Sequence, residues 1–210
     1  MKRILLLAVA GGLFVSACSD KMNEAAESLK NVQSIAESAD EAQKTQTELE
    51  KRRDERRAKG DTIALPYAEL QKYLPGEIAG YKAGELEGSN TEVPGYSVGS
   101  ASREYTKDDG SFIRITLSDY NSSEMGWAAA STWMALKIKT DNSEEYMSTF
   151  QTDNPYINGM EKLGKKDKSA TITYGLGGRF LLVVEANNQT DLTAVKKVAE
   201  SIDLKKLAAF

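Results

Sequence analysis

The chain has one cysteine, Cys18, close to its start, and no histidine. Beyond residue 18 it can therefore hold no disulfide, no thiolate nucleophile and no Cys-ligated metal. Few other residues offer chemistry. Asp108-Asp109 could act as paired carboxylates, but neighbours in a tight turn point apart into water, which fits a turn role better. Asp141, Glu144 and Glu145 carry the oxygens that calcium takes, without the spacing or the glycine of a calcium loop. Asp141 reads better as a helix or turn cap. The run Gly175-Leu176-Gly177-Gly178 would cradle phosphate only if it opened a helix and converged its backbone donors; it joins two apolar runs that read as strands. Tyr81, Tyr96 and Tyr156 each lie beside glycine or proline, in GYK, PGYSVG and NPYING. Loop aromatics of this kind either form a partner surface or plug the edge of a core.

The missing histidines remove the usual general base near neutral pH, the Ser-His and Cys-His nucleophile pairs and most zinc sites. No cofactor or metal is expected. The formal charge is -4; without Lys2 and Arg3, 25 positive residues face 31 negative, about -6. Such an acidic chain lacks the basic footprint that nucleic-acid phosphates demand, so a nucleic-acid partner is not expected.

The residues that must position Cys18 are the first seventeen. Met1-Lys2-Arg3 is followed by Ile4 to Val15, almost wholly apolar, and then Ser16-Ala17-Cys18. A basic start, a short apolar core and small residues at a cut site describe a secretory signal peptide over 1–17. The apolar run is short of the ~20 residues a spanning helix needs. Val15-Ser16-Ala17-Cys18 resembles the lipobox of bacterial lipoproteins. That resemblance implies cleavage before Cys18, a diacylglyceryl thioether on its sulfur and acylation of its new amino group, so that the membrane is a partner through lipid. Two or more acyl chains anchor stably where one binds marginally. In the family's sorting rule for enteric-type bacteria, aspartate directly after the cysteine favours the inner membrane. Ser19 stands there, with Asp20 one place later, so the outer membrane facing the periplasm is expected, with the inner membrane or the cell surface as alternatives.

Residues 18–60 read as a lipidated N-terminus and helical spacer. From 20 to 59 there is no proline or glycine, and Ala, Glu, Gln, Lys and Arg, all good helix formers, dominate. Met22, Ala25, Leu29, Val32, Ala36 and Ala39 line one face, about two weak heptads, after which the stripe fades. The arm's end, Lys51 to Lys59, carries six cations against Asp54 and Glu55. One reading is an anionic partner such as lipid headgroups or cell-wall polymer. The other is the preference of cations for a helix C-terminus, with Gly60 as the stop.

From 61 to 210 the composition changes to that of a globular domain. Pro66 to Leu74 predicts a short helix with proline in its first turn. Ser100–Lys107 and Phe112–Tyr120 alternate in strand fashion around Asp108-Asp109-Gly110, a hairpin signal. Glu124 to Ile138 predicts a helix apolar on most sides, hence one buried on more than one. One or two strands are expected between 144 and 164. Ser169–Tyr174 and Arg179–Ala186 form a second hairpin, followed by a helix over Leu192–Ile202. Strands without a β-α-β rhythm argue for an α+β fold, an antiparallel sheet with helices packed on one face. That layout resembles the PsbP-like fold in outline. Tyr73-Leu74-Pro75, Gly80-Tyr81-Lys82, Arg179-Phe180 and Ile202-Asp203-Leu204 also look like uncharacterised bacterial exported domains, a resemblance that implies no activity.

These residues predict a membrane-anchored periplasmic lipoprotein without catalytic function, a binding or scaffolding module for an envelope protein or cell-wall component. The alternatives are an envelope hydrolase using Asp and Glu alone, and a structural lipoprotein that self-associates through the arm and the Trp127/Trp133 helix.

Overall fold

A computed structural model describes residues 43–210, which fall in a compact unit running from Asp40 to Phe210. The predicted signal peptide over 1–17, Cys18 and the Met22 to Ala39 stripe lie outside the described residues.

The architecture is α+β, as the composition and periodicity predict. Eight antiparallel strands make one sheet in the order β1-β2-β3-β8-β7-β6-β5-β4. They are β1 (Lys82–Val93), β2 (Tyr96–Thr106), β3 (Phe112–Asp119), β4 (Lys139–Asp141), β5 (Glu145–Gln151), β6 (Ile157–Gly164), β7 (Ser169–Leu176) and β8 (Phe180–Ala186). After β3 the chain passes through a helix and re-enters the sheet at the far edge as β4. It then returns strand by strand until β8 pairs with β3. The expected hairpin-then-helix plan thus occurs twice.

Alternation builds the core. Ile113, Ile115 and Leu117 of β3 face Ala186, Val184 and Leu182 of β8, which in turn face Ala170, Ile172 and Tyr174 of β7. All nine are buried. Over this face lie α2 (Tyr67–Leu70, continued by a 3-10 turn), α4 (Thr193–Glu200) and α5 (Leu204–Ala208). Leu70, Val195, Val198, Ala199 and Leu207 of these helices join the same cluster. Each buried aliphatic side chain contributes roughly 1.5–3 kcal/mol.

Two features differ from the sequence expectation. The helices do not share one face. The helix Glu124–Ala135, α3, crosses the opposite side, where Trp127 and Met134 close over Gly175 and a Cβ there would stand 3.3 and 3.1 Å from them. Met134 is buried, yet it stands apart from the main core cluster. Nor is α3 buried on more than one side: Met125, Trp133 and Leu136 are exposed. The second difference is the arm's end. Residues 43–58 form α1, and α1 is built into the compact unit rather than standing off it. It ends as expected at Gly60, whose φ of 82° lets its N–H reach the Arg57 carbonyl and the Asp61 N–H reach that of Arg56.

Candidate functional site

Period-2 alternation carries β3 one step past Leu117 and puts Asp119 on the buried side, fully enclosed. A buried carboxylate needs a cation and donors. They come from the β7–β8 turn, where Gly177 and Gly178 take φ of 63° and 67° and deliver Arg179, itself 1 % exposed. Arg179 Nε donates to Asp119 Oδ1 and Oδ2 at 2.9 and 3.1 Å, and its Nη2 donates to Oδ2 at 2.8 Å. Its Nη1 donates to Asp61 Oδ2 at 2.7 Å. Phe180 and Phe210 flank the guanidinium, their ring centres 5.0 and 5.4 Å from its carbon. Asp119 also accepts the Leu65 and Asn121 backbone N–H groups at 2.8 and 2.9 Å.

Asn121 extends this cluster to the arm. Its amide donates to Asp61 Oδ1 at 2.7 Å and to the carbonyls of Asp61 and Ile63, while its oxygen accepts from Arg56 Nε at 3.1 Å. Arg56 is buried, and its Nη1 and Nη2 meet no hydrogen-bond acceptor among the described residues. Desolvation, and next the neighbouring Arg179, lower its pKa to about 10. It is still charged at neutral pH. The other arginines of α1 dock beside it. Arg52 stacks over Tyr156 at 4.2 Å and donates to the Ala208 carbonyl, Arg57 pairs with Glu124 at 2.7 Å, and Arg53 stands 3.6 Å from the same carboxylate. Thus most of the basic end lies against the body, and neither sequence reading of Lys51 to Lys59 anticipated that. A cavity of about 20 Å³, the size of one water, remains between Leu49, Arg53, Asn121, Trp127 and Gly178.

Chemically this cluster holds elements together. Asp119 receives every donor around it and offers no open face. Four other acids singled out in the sequence make local contacts. Asp109 Oδ1 caps the Ser111 N–H at 2.8 Å, which holds its carboxyl below the usual range. Asp141, Glu144 and Glu145 each pair with a separate lysine, Lys165, Lys166 and Lys162. No group of three metal-ligating side chains occurs among the described residues.

The three tyrosines are not brought together. Tyr81 precedes β1 and lies under Lys107, 4.3 Å from its ring centre. Tyr96 opens β2 at the other end of the hairpin, roughly 40 Å away by strand rise. Tyr156 shares Tyr96's end of the sheet, several strands off, and is covered by Arg52. Tyr96 borders an open groove of about 630 Å³, with Ile63, Val93, Pro94, Ser97 and Ser122 along its walls. Ile63 is 53 % and Val93 54 % exposed.

Compared with known proteins, the chain matches no family model, no curated protein and no solved structure.

Proposed function

We propose that the protein is a lipid-anchored envelope protein, held in the outer membrane by fatty acyl groups on Cys18. Its domain is a non-catalytic binding module for another envelope protein. The observation that carries the placement is the lone sulfur at Val15-Ser16-Ala17-Cys18, directly behind the apolar run, with Ser19 next. Support for binding comes from a contrast within the domain. The buried pair Asp119 and Arg179 is spent on itself and on Asp61, while the groove beside Tyr96 leaves Ile63 and Val93 uncovered. Large apolar side chains gathered on an open concavity favour an extended apolar-polar segment of a protein partner.

Two measurements test this. Mass spectrometry of the mature chain from outer-membrane fractions should find Cys18 as its first residue, carrying diacylglycerol and an N-acyl group. A photo-crosslinker at Tyr96 in whole cells should give one discrete protein adduct absent when the label sits at the exposed Lys197 of α4. A mature chain free in the medium with an unmodified thiol would remove the anchor. Equal labelling from both positions would remove the binding reading.

A further inference from the structure

The twelve residues from Met125 to Leu136 contain no charge. At about 100° per residue, Trp127 and Met134 fall on the side of α3 that meets the sheet. Met125, Ala128, Ala129 and Trp133 fall on the outward side, with Leu136 continuing the line at the C-cap. All five are exposed; Met125 is 83 % and Trp133 60 % open. Surface helices ordinarily turn charged residues outward, so an outward apolar stripe needs an apolar neighbour. We propose that this face of α3 lies in the interfacial layer of the bilayer that holds Cys18, with Trp133 at headgroup depth. The inference rests on the lipid anchor proposed above.

Three observations favour the bilayer. First, only 24 residues separate Cys18 from Gln43, the first described residue. They reach about 36 Å if helical and about 80 Å fully extended, so the tether keeps the domain close to its membrane. Second, the chain enters the domain beside α3. Glu124 meets Arg53 and Arg57, and Trp127 lines a cavity with Gln46, Leu49 and Glu50, nearer the start of α1. A short tether converts weak insertion into an intramolecular contact at high effective concentration. Third, the stripe has the composition of an interfacial contact. Tryptophan favours the headgroup region, and the cations Lys137 and Lys139 follow the helix, a charge that suits anionic headgroups. A second copy fits less well. A stripe about 18 Å long and one helix wide is well below the ~800 Å² per partner of a stable dimer.

The test uses the full lipidated protein in phosphatidylethanolamine–phosphatidylglycerol vesicles with and without brominated acyl chains, reading tryptophan emission. Relative to the unlipidated protein in buffer, the Trp133 component should shift to the blue in both kinds of vesicle, and bromine placed high on the acyl chains should cut its intensity. Trp133→Phe should abolish the quenchable component, and Met125→Asp should weaken it without unfolding a residue already in water. Protein that floats with the vesicles but emits equally in both bilayers overturns the inference and leaves the anchor intact. A blue shift without bromine quenching assigns the face to a second copy and also overturns it. Protein that does not float overturns the anchor and this inference with it.

Discussion

Replacing Arg179 with methionine isolates the central ionic lock. Methionine preserves most of the side-chain length and its contact with Phe180 and Phe210, so packing loss is small. What disappears is the cation. Asp119, which no solvent reaches, loses three hydrogen bonds and keeps only the Leu65 and Asn121 N–H donors. Asp61 loses its 2.7 Å partner but is 40 % open and can turn to water. Breaking a buried pair by removing one partner costs about 3–5 kcal/mol, because the remaining charge stays buried. A domain of this size is stable by about 5–15 kcal/mol and shifts its Tm by roughly 2–4 °C per kcal/mol. The expected drop is therefore roughly 6–20 °C. The assay is urea and thermal unfolding followed by circular dichroism, on Arg179→Met, Asp119→Leu and the double variant. The double variant should be more stable than the sum of the single losses predicts, since neither charge is stranded, although two backbone donors still lack acceptors. An Arg179→Met variant within 1 kcal/mol of the parent, or strict additivity, would refute the assignment of Asp119 as a buried charge dependent on Arg179.

Arg56→Met should behave in the opposite way, staying within about 1 kcal/mol of the parent at neutral pH, because Arg56 is a desolvated cation with two unpartnered nitrogens. Its lowered pKa also sets a sign. The folded state releases the proton first, so from about pH 10 up to the ordinary guanidinium range the unfolded state holds more protons and stability rises with pH. Subtracting the Arg56→Met unfolding curve should reveal that rise, and a flat difference counts against it. Gly175→Val should cost about 1–3 kcal/mol by overpacking, since its Cβ meets Asn158 Oδ1 at 2.6 Å and Met134 Cε at 3.1 Å. Lifting α3 should shift Trp127 emission to the red; an unchanged spectrum with full stability would place α3 elsewhere.

Elements whose side chains divide cleanly between core and water were readable from spacing alone. The β2–β3 and β7–β8 hairpins stand within a few residues of their expected limits. The strand β1 was not, because KAGELEGSNTEV lies at an edge with almost every residue exposed, so no apolar period marks it. The helix α5 is too short for periodicity and declares itself through a cap, Asp203 Oδ1 accepting from the Lys206 N–H at 2.9 Å. The ionic cluster did leave a trace in the sequence. Ile113, Ile115 and Leu117 set a register whose next place is Asp119, and a carboxylate on a core register requires a buried cation. The identity of that cation, sixty residues away on a glycine turn, depends on β3 pairing with β8. No local pattern encodes that pairing.

The placement of the cluster says what α1 is for. Its hydrogen bonds run from Arg56 through Asn121 and Asp61 to Arg179 and Asp119, and so from the arm to β3 and β8, the two strands that join the halves of the sheet. Leu49 packs on Gly178, and Arg52 reaches the last residues through Ala208. A helix joined only by exposed ion pairs would come away easily, since such pairs contribute about 0–1 kcal/mol. Here the joint is shared instead: Arg56 Nε donates to buried Asn121, Arg52 stacks on Tyr156, and Leu49 sits against the glycine turn, so no single contact carries it. Under the proposed anchoring, any pull on the tether is thus borne by the centre of the sheet, and α3 keeps a fixed orientation to the point where the tether leaves the domain.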